Sequence, residues 1–117
     1  MKYKYWLANL PQISNAKKKI LIDCNIGAEE LFYMKSSDYD KISFFSETDR
    51  NALNTSKKIF DPENEWTGFL QKDISFITIE DEGYPDRLLN ISSPPYALFY
   101  IGKLPDESVR SIAIVGA

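Results

Sequence analysis

Hydrophobic positions in the first seventy residues recur at helical spacing. Tyr3, Trp6, Leu7 and Leu10 fall at i, i+3, i+4 and i+7, which predicts one buried helical face. Pro11 ends or turns that helix. Ser14 is a cap for a second helix, with Ala16, Ile20, Ile13 and Leu21 turned inward and Lys17-Lys18-Lys19 around its outer side. After the turn signal Asn25-Ile26-Gly27, Ala28–Met34 reads as a third helix with Leu31 and Phe32 inward. Its Glu29-Glu30 pair suits the positive end of the helix dipole. Ser37 or Asp38 caps a short segment carrying Tyr39, Ile42 and Phe45. Thr48 caps a longer helix that buries Ala52, Leu53, Ser56, Ile59 and Phe60. Asp61-Pro62 stops it and starts another, whose stripe is Trp66, Phe69 and Leu70.

At Asp73 the period changes. Ile74–Ile79, Ala97–Ile101 and Ile112–Val115 are short apolar runs bounded by turn residues, and they read as strands. Between the first two, Tyr84-Pro85 opens a brief helical turn, and Ser93-Pro94-Pro95 must be extended. The runs are nearly continuous rather than alternating, which predicts strands covered on both faces, as in a parallel α/β sheet. The expected organisation is therefore an all-α domain at 1–73 and the first strands of an α/β domain at 74–117. Covering helices would follow each strand, so the chain is expected to be the front end of a longer protein.

Composition narrows the chemistry. The chain has 117 residues, with 44% hydrophobic and 14% aromatic content, enough for a real core. Its net charge of −3 argues against coating nucleic acid by bulk charge. It contains no histidine, which removes Ser-His and Cys-His nucleophile pairs. A single cysteine, Cys24, excludes an internal disulfide and a zinc site, and reads as a small buried apolar residue. No run is long enough to span a membrane and no signal-like segment opens the chain, so a cytoplasmic protein is expected.

Four features could carry chemistry. Gly116-Ala117 follows the last strand, as in a phosphate-cradling turn or an ordinary strand end. Lys17-Lys18-Lys19 could touch nucleic acid, but reads as a solvated helix face. Glu80-Asp81-Glu82 could hold a cation or act as an acid/base pair, but reads as a soluble turn. Trp6, Trp66 and the aromatics beside them could stack bases, but lie on helical stripes that read as core.

An ordered string of pieces points further. Phe76-Ile77-Thr78-Ile79 is followed by Asp81 and Gly83-Tyr84-Pro85-Asp86-Arg87-Leu88-Leu89. Then come Ile91, Ser93-Pro94-Pro95, Leu98-Phe99-Tyr100-Ile101-Gly102 and Ile112-Ala113-Ile114-Val115-Gly116-Ala117. In order and spacing this string, about the last third of the chain, resembles the bacterial DNA-processing protein A family (DprA, also called Smf). The resemblance implies a helical N-terminal domain similar to a sterile-alpha-motif or helix-hairpin-helix fold, followed by a Rossmann-like domain. It implies binding of single-stranded DNA, protection of incoming strands in natural transformation and loading of the strand-exchange recombinase. A homodimer of the full-length protein is implied; catalysis, cofactor and metal are not. In that pattern Gly116 and Ala117 fall on a turn that meets a DNA phosphate, and an Arg would follow. Leu10-Pro11-Gln12-Ile13-Ser14 falls where many members carry two glycines of a DNA-contacting hairpin; Gln12 and Ser14 replace them and restrict backbone approach. Two alternatives stand beside this reading: a Rossmann-like nucleotide- or phosphate-binding enzyme with a helical cap, and a helical protein-interaction domain.

Overall fold

The computed structural model describes residues 1–102 and the strand Ala113–Ile114. Six helices come first: α1 (Lys2–Ala8), α2 (Asn15–Asp23), α3 (Ala28–Tyr33), α4 (Ser36–Tyr39), α5 (Glu47–Ile59) and α6 (Pro62–Leu70). Then follow β1 (Ser75–Thr78), α7 (Asp86–Leu89), β2 (Ala97–Ile101) and β3 (Ala113–Ile114). The overall architecture is a mixture of helices and a small antiparallel sheet.

Local chemistry explains most boundaries. Ser14 Oγ accepts from Lys17 N at 3.2 Å and starts α2. Asn25 takes a positive φ of 59°, which an asparagine tolerates, and turns the chain after α2. Asp61 caps α6 and Pro62 opens it, as expected. The cap of α5 is Ser46, two residues before the expected Thr48. Ser46 has a reciprocal partner: its Oγ accepts from Asp49 N at 3.1 Å, and its own N–H donates to Asp49 Oδ2 at 2.9 Å. The cap of α4 is Lys35, whose N–H donates to Asp38 at 3.0 Å.

The inward face of α2 matches expectation at Ile13 and Leu21 and departs from it at Ala16, Lys18 and Ile20. Ile13, Lys18 and Leu21 are buried, while Ala16 and Ile20 are exposed. Leu21 sets this register, and Lys18 shares its face at i−3. Leu70 and Ile59, also expected inside, are 61% and 80% exposed. Each is the last residue of its helix, where the chain turns away from the core.

One core runs through both parts of the chain. Trp6, Leu31, Tyr39 and Leu53 are almost completely buried, and the same cluster contains Phe69, Tyr96, Ala97 and Phe99. An aromatic group joins α1, α6, β1 and β2: Tyr5 lies 4.8 Å from Phe69 and 6.1 Å from Phe99, and Phe76 lies 5.1 Å from Phe99, centroid to centroid.

Strands β1 and β2 are covered on both faces, as their composition predicts, but the sheet is not parallel. The sheet order is β1-β2-β3. Thr78 faces Ala97 and Ser75 faces Tyr100, so β1 and β2 are antiparallel. Tyr100 faces Ile114 and Ile101 faces Ala113, so β2 and β3 are antiparallel as well. A parallel pair needs a crossover helix that lies along the sheet. Here α7 is a single turn, and Ile79 N donates to Tyr96 O at 2.9 Å, which brings the chain back at the end it left. One sheet face meets the helices through Phe76, Ala97 and Phe99. The other meets the 80–95 connection through Ile77, Leu98 and Tyr84. Gly83 fits there because a Cβ would come within 3.0 Å of Ile77 Cδ1.

Candidate nucleic-acid interface

Gly116 and Ala117, the predicted phosphate turn, lie outside the described residues. Among the described residues their nearest landmark is β3 on the edge of the sheet, beside Tyr100 and Ile101. At the end of β2, Gly102 takes φ +86°, a left-handed conformation that favours glycine.

The lysine run is not a uniform positive face. Lys17 pairs with Asp49, and Lys19 pairs with Asp23 at 2.9 Å one helical turn on. The Asp49 carboxyl is pushed up by burial, but the Lys17 and Ser46 hydrogen bonds outweigh this and hold it below the usual range. Lys18 turns inward and is only 4% exposed, contrary to the outer position expected for it. Its ammonium lies 5.9 Å from the centre of the Tyr96 ring, within cation–π reach. Burial lowers its pKa to about 8.

The acidic run is a structural turn. Asp81 Oδ2 accepts from Thr78 N at 2.7 Å and from Thr78 Oγ1 at 3.1 Å, and Glu80 pairs with Lys4 at 3.8 Å. Among the described residues no group of acidic, cysteine or histidine side chains could hold a metal ion. Tyr84 completes this corner by donating its hydroxyl to Pro95 O at 2.6 Å.

The tryptophans belong to the core. Trp6 donates Nε1–H to Ser56 Oγ at 3.0 Å, and Trp66 stacks on Phe69. Cys24 is exposed rather than buried, because it stands where α2 ends and the chain turns out.

Two concavities flank the Leu10–Ser14 turn, whose Leu10 and Ile13 are buried and whose Pro11 and Gln12 are exposed. A groove of about 670 Å³ opens between α1 and α5, lined by Trp6, Leu10, Ala52, Ile59 and Phe60 among others. A smaller cavity of about 250 Å³ lies between the start of α2 and Pro95-Tyr96, with Ser14, Asn15 and Lys18 on its wall. Asn15 Oδ1 accepts from Tyr96 N at 3.1 Å, a bond between residues 81 apart in sequence. Sequence reasoning missed this cavity. The one signal for it was Lys18 at i−3 from the buried Leu21.

The comparisons with known proteins give one family match and one relative. A family model described as DNA recombination-mediator protein A matches residues 75–117, the segment that carries β1, α7, β2 and β3. Protein Smf of Borreliella burgdorferi is 47% identical over 36 residues, which cover 31% of this chain and 12% of that relative. The chain therefore spans a small share of the relative's length. No solved structure matches the chain. Among the described residues no helix is long and apolar enough to cross a membrane.

Proposed function

We propose, from the match of residues 75–117 to the DNA recombination-mediator protein A family, that the chain serves a protein that binds single-stranded DNA and hands it to a strand-exchange recombinase. The observation that carries this reading is the match over 75–117, which ends on Gly116-Ala117. A glycine directly after a strand lets backbone N–H groups approach a phosphate closely. The strands would then open a Rossmann-like unit, and the helices at 1–73 would form a domain similar to a sterile-alpha-motif or helix-hairpin-helix fold. The division at Asp73 is proposed as one of role. Single-stranded DNA, the recombinase and a second copy of the chain are the proposed partners, and the work is mediation rather than catalysis.

The test uses the product of the complete open reading frame. Fluorescence anisotropy with labelled oligothymidylate should give saturable binding that weakens as salt rises. Gly116→Asp places a carboxylate at the proposed phosphate turn and should weaken binding about tenfold or more. Binding equal to that of the parent protein would remove Gly116 from the interface, and no binding by the parent would remove the reading itself.

A further inference from the structure

The structure points to a second feature, on the helical part. Lys18 is buried among apolar walls, yet among the described residues its ammonium has neither a carboxylate nor a hydrogen-bond partner. A lone buried charge is costly, and a structural lysine is ordinarily paired. The nearby acids on packed elements are engaged elsewhere: Asp49 with Lys17, Glu80 with Lys4, Asp81 with Thr78. No fully sealed side-chain polar atom among the described residues lacks a partner. Lys18 Nζ is therefore not fully sealed, and Lys18 lines the cavity of about 250 Å³ together with Tyr96, whose ring lies 5.9 Å from that nitrogen.

Other residues with donors line the same cavity. Ser14 Oγ accepts from Lys17 N, which leaves its hydroxyl proton free to donate. Asn15 Oδ1 accepts from Tyr96 N, which fixes the amide and leaves its Nδ2 donors available. Both residues stand at the start of α2, where first-turn N–H groups lack helical partners and the dipole favours an anion. Hydroxyl, amide and ammonium are thus carried by residues i, i+1 and i+4 on one wall, a donor set suited to the several oxygens of a tetrahedral anion. Ala8, Pro11, Ile13, Pro95 and Ala97 wall the space and would strengthen each contact by excluding water.

We propose that this cavity is a phosphate-binding site, with Lys18 as its cation and Ser14 and Asn15 as its hydrogen-bond donors. It is separate from the turn at Gly116 and does not depend on it. The phosphate belongs either to a nucleic-acid backbone or to a small free anion.

Amide NMR on the full chain decides the matter. Titration with inorganic phosphate should shift Ser14, Asn15, Ala16 and Tyr96 in a saturable way. Lys18→Met, which keeps the apolar stem, should weaken this response about tenfold or more, and Lys18→Arg should retain it. A parallel titration with oligothymidylate identifies the source. Shifts of the same amides, competed by phosphate, assign the site to a nucleic-acid backbone. Shifts with inorganic phosphate alone assign it to a free anion. Absence of saturable shifts with either probe overturns the proposal, as does an unchanged response in Lys18→Met. Should that variant fail to fold, the parent titration decides alone, with Ser14→Ala as the milder variant expected to weaken the response. Gly116→Asp should leave these shifts intact, so failure of the family reading and failure of this site are distinguishable.

Discussion

At the scale of the residue, Lys18 is the position at which sequence and structure differ most. Three consecutive lysines look like one solvated face, but a helix advances about 100° per residue, so one of three neighbours can point inward. Which one depends on where the core lies, and Leu21 and Ile13 decide that. The lysine's stability effect has a definite sign. Burial lowers its folded pKa from 10.5 to about 8, so between those values the unfolded chain holds more protons than the folded one. Stability should therefore rise as pH climbs from about 8 towards 10. Above that range the order reverses, because burial raises the hydroxyl pKa of Tyr39 and Tyr96 and their deprotonation favours the unfolded state. Urea unfolding of the parent and of Lys18→Met at pH 7.5, 9 and 10 checks this: the rise should be absent in the variant.

At the scale of the element, caps and turns were legible wherever a side chain acts on its own neighbours. Ser14 and Asp61-Pro62 are examples, and so is the aromatic stripe of α6 through Phe69. The start of α5 was misread by two residues because Ser46 and Thr48 are both good caps. Asp49 breaks the tie, since only from Ser46 does it stand at the third helical position and return a bond to the cap. Ser46→Ala should lower stability by about 1 kcal/mol. Asp49→Ala should cost more, since it also removes the partner of Lys17 and with it a link between α5 and α2. Urea midpoints of the two variants test the order. Strand direction was not legible. Apolar runs report how many faces are covered, whereas direction depends on which path the connection takes, and the single-turn α7 decided that.

At the scale of the whole molecule, the change of period at Asp73 marks a change in secondary structure but not in the core. Phe99 on β2 packs against Tyr5 on α1 and Phe69 on α6, so helices and sheet share one hydrophobic interior. Phe99→Ala should cost about 3–5 kcal/mol and destabilise both parts together. Tryptophan fluorescence from Trp6 and Trp66 should then follow the same urea transition as amide protection in β1. Separate transitions would show two independent units. The candidate site at Gly116 was legible only through the motif string, because no local pattern distinguishes a phosphate turn from a strand end.

The bond from Asn15 to Tyr96 carries a kinetic consequence. It closes a loop of 81 residues, and the entropy of that closure is recovered only when the intervening elements have already found their places. It belongs among the last contacts to form and the first to open. Asn15→Ala should consequently hasten unfolding in stopped-flow experiments while leaving the refolding rate nearly unchanged.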